Sequence, residues 1–425
     1  MSHENSERDY KDPLRRYNPA TSVILAGYRP RLSEYSVKVP LFRTSTFEFE
    51  SAEEGAKFFE RAYHLPGDDG EDPGLVYSRL NNPNTEIVED KLVAGEKGAN
   101  HAAVFPSGMN AIATTVLALV PQQGKILYTN PVYGGTYFLL KHLCPVRFGV
   151  ETTAVETSDL KAVEQLLQKE GPFDMIFLET PANPILAQTD IAAISELARK
   201  YGEDKTLVAV DNTFLGPVFQ SPFELGADLV LYSATKFLGG HSDIIAGAAL
   251  SRVADLINSV RDYRTILGGT IASDTAWLLT RSIETLWVRM ERQAQKATKV
   301  AEVLKDHLKI EKLLFSGLLS EADGQAYEVF RKQCHGPGSI ITLLLKNTDR
   351  AGAYRFLDHL QIFHLAVSLG GTESLAEHPR SMTHSDMSEE DLDRCGISDS
   401  MVRLSVGLES SDYLVEDLMA ALKVV

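Results

Sequence analysis

The chain has 425 residues, 44% hydrophobic and 24% charged, which suits one large domain and a smaller one in a folded globular protein. Its formal net charge of -16 argues against a general nucleic-acid binder or a protein of anionic membrane surfaces. No apolar run approaches the roughly 18 residues of a membrane helix, and the polar N-terminus shows no signal core.

From the N-terminus, the first fifty residues read as an irregular arm, followed by the acidic loop "PGDDGEDPG" at 66–74. Then strands and helices alternate. "HAAVFPSGMNAIATTVLALV" predicts a strand, a turn and a helix. "GKILYTN" is a strand and "SDLKAVEQLLQKEG" a helix. "FDMIFLETPANP" is a strand and "DIAAISELARKYG" a helix, and "TLVAVDNT" and "ADLVLYSATK" are two further strands. Continuous apolar strands between amphipathic helices predict a largely parallel sheet buried on both faces. Around Ile271 the pattern changes. Ala276, Leu279, Ile283, Leu286 and Met290 recur at three- and four-residue steps, one stripe of a long helix that leads into a second domain. "SIITLLLKN" and "MVRLSVGLE" predict strands of that smaller α+β domain, and "SEEDLDR" a helix start with a solvated acidic face. The expected borders are 1–75 for the arm and acidic loop, 76–288 for the large domain and 289–425 for the small one. Cys144, Cys334 and Cys395 lie far apart without CxxC pairing. They read as ordinary thiols of a cytoplasmic protein with no metal site.

Three features fall at the ends of predicted strands, the edge where open α/β sheets bind ligands. Asp211 closes the apolar run "LVAVD", a costly place for a carboxylate unless it meets a cation. Lys236 follows 25 residues later (236 − 211), one strand on, flanked by the hydroxyls of Ser233 and Thr235 and by Gly239 and Gly240. A partly desolvated lysine loses its proton readily and forms imines with aldehydes. In "PSGMNA", Ser107, Gly108 and Met109 place free backbone N–H groups at a helix start, an anion site. Neither GxGxxG nor GxxxxGK[ST] is present there. A cation for Asp211, a carbonyl for Lys236 and a phosphate for the hydroxyls and N–H groups together describe pyridoxal 5'-phosphate (PLP). Tyr133, in "NPVYGGTY", also follows a strand and would stack on its ring.

The motifs "VYSRLNNPN" (76–84), "PSGMNA" (106–111), "PVYGGT" (131–136), "ETPANP" (179–184), "VDNTF" (210–214), "DLVLYSATKFLGGHSDIIAGA" (228–248), "AVSLGGTESLAEHPRSMTH" (366–384) and "VRLSVGLE" (402–409) are similar, in this order, to the cystathionine γ-synthase-like family of Cys/Met-metabolism PLP enzymes. The resemblance implies the fold type I architecture of PLP-dependent transferases, an α/β fold. Its large domain has a mainly parallel seven-stranded sheet, and a smaller C-terminal α+β domain follows. It also implies a homotetramer of two tight dimers. Lys236 would carry the cofactor as an imine, Asp211 would pair with its ring nitrogen, and Ser233, Thr235, Gly108 and Met109 would hold its phosphate. Tyr77 and Arg79 would help from the neighbouring subunit. Tyr133 would stack and exchange protons. Asn183, Ser368 and Arg403 would bind the substrate carboxylate. His241 and His384 read as structural, and Glu179 as a support for the site.

Within the family, Val367 stands where many cystathionine enzymes carry glutamate. The surrounding text resembles the methionine γ-lyases. Gly135 departs from them, since they typically carry a cysteine there and the synthases and cystathionine lyases do not. Leu369 replaces the tryptophan usual in β-lyases. The expected activity is γ-elimination of methionine or a related amino acid. γ-Replacement and cystathionine cleavage are the alternatives. With Lys236, Asp211, Tyr133 and Arg403 all intact, a catalytically silent regulator is disfavoured.

Overall fold

The computed structural model describes residues 17–62, 65–67, 74–202 and 205–425. Residues 1–16 of the expected arm and 68–73 of the acidic loop lie outside the described residues.

The main sheet contains β1 (His101–Phe105), β2 (Lys125–Thr129), β3 (Glu151–Val155), β4 (Met175–Glu179), β5 (Leu207–Asp211), β6 (Leu229–Tyr232) and β7 (Gly247–Ser251). They lie in the order β1-β7-β6-β5-β4-β2-β3. Strands β6, β5, β4, β2 and β3 run parallel. Strand β7 is antiparallel to both its neighbours, β1 and β6. Two reversals cancel, so β1 points the same way as the parallel five.

Burial on both faces explains why these strands read as unbroken apolar runs. Met175 and Phe177 of β4 enter one core, with Ile126 and Tyr128. Ile176 and Leu178 enter the opposite one, with Val163, Leu167 and Ile194 from the helices Leu160–Glu170 and Ile191–Gly202. Two strands of this sheet escaped the sequence reading. β3 is the exposed edge, "ETTAV", and lacks a continuous apolar run. β7 is "GAALS", wholly buried but built of small residues with little strand preference.

The predicted single long helix is two helices, Ser273–Ile283 and Leu286–Leu304. Thr285 leaves helical geometry at φ -109° and ψ 9°. The side chain of Glu284 turns to Lys38, at 2.6 Å, and to the buried Lys91, at 3.3 Å. All five stripe residues are buried, and the step from Ile283 to Leu286 preserves the three-residue interval, so periodicity alone does not register the break. The acidic helix start is also less solvated than expected. Asp391 is buried and accepts a hydrogen bond from the Tyr137 hydroxyl at 2.7 Å.

The second sheet contains β8 (Ile310–Leu314), β9 (Ile340–Leu345), β10 (His364–Leu365), β11 (Leu375–Glu377) and β12 (Met401–Ser405), in the order β10-β11-β12-β9-β8. The helix Leu286–Leu304 gives Met290 and Ala294 to the core under the large sheet. It gives Ala297, Val300, Ala301 and Leu304 to the core of the small one. That division supports the domain border we propose near residue 289, with the arm ending near 75. Among the described residues no helix is long and apolar enough to cross a membrane.

Candidate active site

The carboxyl ends of β2, β4, β5 and β6 form one edge, and most of the predicted residues gather there. Asp211 ends β5 and pairs in register with Glu179 at the end of β4. Both are buried, and burial pushes both carboxyls upward. Asp211 Oδ1 accepts from the Thr213 N–H at 3.0 Å and from the Thr213 hydroxyl at 2.5 Å. No cation is paired with Asp211 among the described residues. Thr213 also accepts from the Ser233 N–H at 2.9 Å, so one threonine ties Asp211 to the segment after β6. Sequence reasoning passed over Thr213, although it lies inside the "VDNTF" motif.

Ser107 caps the helix Gly108–Leu119, its hydroxyl accepting from the Asn110 N–H at 3.0 Å. That leaves the N–H groups of Gly108 and Met109 in the first turn, without intrahelical acceptors. A Cβ at Gly108 would lie 2.8 Å from the Ser233 Cβ, so glycine permits these two segments to meet. The structure commits the Thr235 hydroxyl differently from expectation. It donates to the Ala246 carbonyl at 3.1 Å and accepts from the Ala246 N–H at 3.0 Å, clasping the loop before β7.

Lys236 is partly buried, and its Nζ donates to Ser368 Oγ at 2.7 Å. Burial first, then the nearby Arg403 cation, lowers its amine to about 8, with Glu377 opposing. Ser368 has φ +97°, an unusual backbone for a residue with a Cβ. Its carbonyl accepts from Arg403 Nη2 at 2.8 Å. Arg403 is buried on β12, and its Nη1 donates to Asn183 Oδ1 at 3.0 Å. It also forms an ion pair at 2.9 Å with Glu377, opposite it on β11. Glu377 went unnoticed in sequence; only its register with Arg403 singles it out.

Glu179 holds two loops at once. Its Oε2 accepts from the Tyr133 N–H at 3.0 Å and its Oε1 from the Asn183 N–H at 2.8 Å. Tyr133 remains 42% exposed, facing the site. Burial, then the carboxylates of Glu179, Glu377 and Asp386, raise its phenol, with Arg403 opposing. Gly135 packs under that ring: a Cβ there would lie 2.8 Å from Tyr133 Cε1 and 3.1 Å from Met109 Sδ.

Tyr77 and Arg79 are not brought to this edge. Arg79 Nη1 donates to the Thr265 carbonyl at 2.9 Å and its guanidinium sits 5.8 Å from the Tyr77 ring centre. No described hydrogen bond or ion pair joins either residue to Lys236, Asp211 or Ser233. His241 Nδ1 lies 2.7 Å from the Gly239 carbonyl, and burial drives His384 down to about 3. Both suit structural roles. The three cysteines are free, and burial raises Cys144 and Cys395 to about 11 and Cys334 to about 12.

The site fits PLP on its own features. Asp211 is a buried carboxylate lacking a cation, Gly108 and Ser233 form a cradle that a Cβ would fill, and Lys236 is a depressed amine beside them. An α/β fold with such an edge defines a PLP-dependent enzyme. The model of the Cys/Met metabolism PLP-dependent enzyme family matches residues 20–423, and the chain belongs to that family. It is 38% identical over 411 residues to the L-methionine gamma-lyase of Fusobacterium nucleatum subsp. polymorphum, covering 96% of this chain and 99% of that one. The structure is similar to that of cystathionine gamma-lyase from Lactobacillus plantarum complexed with L-serine. There the TM-score is 0.85 and the identity 34%, over 96% of this chain and 99% of that one. It is similar as well to cystathionine gamma synthase from Xanthomonas oryzae pv. oryzae in complex with cystathionine. That match has TM-score 0.85 and 31% identity, over 96% of this chain and 98% of the other.

Proposed function

We propose that this enzyme catalyses γ-elimination of methionine or a related Cγ-substituted amino acid, giving a 2-oxo acid, ammonia and a thiol. The observation that carries this reading is Val367, which is apolar, 55% exposed and adjacent to the Ser368 that Lys236 touches. A thioether tolerates that neighbour, whereas a distal ammonium finds no counter-charge on it.

Lys236 and Asp211 would hold the cofactor, with Ser107, Gly108, Met109 and Ser233 around its phosphate, Thr235 joining them once its hydroxyl turns away from the Ala246 carbonyl, and Tyr133 over its ring. When bound, PLP supplies the electron sink that makes the Cα and Cβ protons removable. Lys236, with its amine lowered to about 8, is far more readily neutral near pH 7 than an ordinary lysine and removes the Cα proton. Tyr133, its phenol raised, stays protonated and donates to the departing sulfur. Arg403, Asn183 and Ser368 orient the substrate carboxylate, a task suited to a planar guanidinium.

The proposal includes a cytoplasmic homotetramer in which Tyr77 and Arg79 complete the neighbour's site. Support comes from the exposed apolar residues Tyr263, Ile266 and Leu267 beside the Arg79–Thr265 contact. A second reading, γ-replacement of the synthase type, is favoured by Gly135. Purified protein incubated with methionine, cystathionine and O-acylhomoserines, with and without a thiol, separates the two. Release of 2-oxobutanoate and thiol from methionine is expected. Product from O-acylhomoserine plus thiol alone would overturn the elimination reading.

A further inference from the structure

Arg403 has a partner that the proposed reaction does not use. Glu377 is 1% exposed and Arg403 3% exposed. They face each other across the antiparallel β11–β12 pair, with Glu377 Oε1 2.9 Å from Arg403 Nη1. The same oxygen accepts from the Thr383 hydroxyl at 2.9 Å. The other carboxylate oxygen, Oε2, is buried without a partner.

The guanidinium has five N–H groups in a fixed plane. Its Nη1 is held by Glu377 and Asn183, and Nη2 donates one bond to the Ser368 carbonyl. Nε lies on the edge away from Nη1 and is buried without a partner. Nε therefore keeps a free donor, and it lies on the Nε–Nη2 edge, which is a side-on fork for a carboxylate. Asn183 can hold Nη1 but cannot balance its charge. Glu377 does both. Its second tie, to Thr383, reaches the Tyr133 loop, since a Cβ at Gly134 would lie 2.2 Å from the Thr383 carbonyl.

We propose that Glu377 is a positioning residue that anchors Arg403 by Nη1, turns its Nε–Nη2 edge toward the amino-acid carboxylate and moderates the affinity of that edge by partly neutralising its charge. This rests on the reading of Arg403 as the carboxylate anchor.

The test uses cofactor-loaded protein and two probes that cannot undergo elimination. Glycine carries a carboxylate and ethylamine does not. Binding of each is followed by the change in cofactor absorbance. Glu377→Ala removes both anchor and charge. Its Kd for glycine is expected to rise tenfold or more, with the Kd for ethylamine within about threefold of the parent. Glu377→Gln keeps an acceptor toward Nη1 and removes the charge, so glycine is expected to bind about three- to tenfold more tightly, again with ethylamine unchanged. If Glu377→Ala does not fold, Glu377→Gln decides alone. Unchanged or weakened glycine binding in Glu377→Gln overturns the proposal, as does equal weakening of both probes in Glu377→Ala. Parent protein without cofactor absorbance sinks the functional reading and this inference with it. Normal glycine binding without methionine turnover sinks only the choice of reaction.

Discussion

Lys236 Nζ and Ser368 Oγ lie 2.7 Å apart, joining residues 132 positions distant in sequence. The bond ties the edge of the main sheet to the strand-linking segment before β11. Its acceptor sits at φ +97°, a conformation that costs a residue with a Cβ on the order of 1–3 kcal/mol. Ser368→Ala and Ser368→Gly both lose the hydroxyl, but only glycine relieves the backbone. Denaturant titration is expected to find Ser368→Gly more stable than Ser368→Ala by about 1 kcal/mol. Equal stabilities would mean that the segment relaxes without cost.

The depressed amine of Lys236 predicts a pH dependence in the cofactor-free protein. The folded value is about 8, against 10.5 ordinarily. Between those values the unfolded chain binds more protons at this site, so its contribution to stability rises with pH. Below about pH 8 the penalty for burying the charged amine is fully present. Lys236→Met removes the titration. Paired unfolding curves at about pH 7.5 and about pH 9.5 should show the parent gaining on the variant as pH rises. A parallel pair of pH profiles would contradict this.

Glu179 accepts two backbone N–H groups, from Tyr133 and Asn183. Glu179→Ala leaves the buried Asn183 N–H and the half-buried Tyr133 N–H unpaired, at a cost of about 2–4 kcal/mol in unfolding free energy. Turnover should fall with it, because both loops carry proposed functional residues. A variant with stability and turnover of the parent would show that other acceptors replace the carboxylate.

Gly135 leaves the Tyr133 ring its place. Gly135→Ala sets a methyl 2.8 Å from Tyr133 Cε1, and the nearest atoms belong to side chains that can shift. The expected result is a modest change in melting temperature with turnover reduced about tenfold. Loss of folding instead would place the constraint on the backbone.

Val367 is largely exposed, so Val367→Glu should cost little stability. A carboxylate there gives the distal ammonium of cystathionine a partner. The ratio of kcat/KM for cystathionine to that for methionine is expected to rise about tenfold. An unchanged ratio would remove Val367 from the specificity argument.

The sheet's apolar strands and the proposed cofactor contacts at Asp211, Lys236 and Ser107 were legible from local signals, whereas Asn183, Ser368, Arg403, Tyr77 and Arg79 came only from the family resemblance. The continuous apolar run ending at Asp211 marks a buried strand with a charge at its tip. Ser107 before "GMNA" marks a helix cap. The features that escaped depend on partners remote in sequence. Strand β7 lacks bulky residues and is defined by lying between β1 and β6. Glu377 looks like any acid until β12 brings Arg403 opposite it. Thr235 was read as a phosphate ligand from its position beside Lys236, yet its present hydrogen bonds are to Ala246, eleven residues on. The break at Thr285 was invisible because a three-residue step is common to a straight helix and to this bend.

The placement of β7 also sets when the site comes into being. Its first residue, Gly247, pairs with Phe105 of β1, 142 positions earlier (247 − 105), and its next, Ala248, with Tyr232 of β6. A Cβ at Gly247 would lie 2.2 Å from the Ser107 carbonyl. The segments bearing Ser107 and Ser233 thus flank the last strand of the main sheet to leave the ribosome. A nascent chain that stops short of Ser251 has β1 and β6 but nothing between them. In it the strand pairing that frames Gly108 and Ser233 is incomplete, and non-local pairing of this kind forms late. With the cofactor seated as proposed, its capture would await the finished sheet, after more than half the polypeptide has been made.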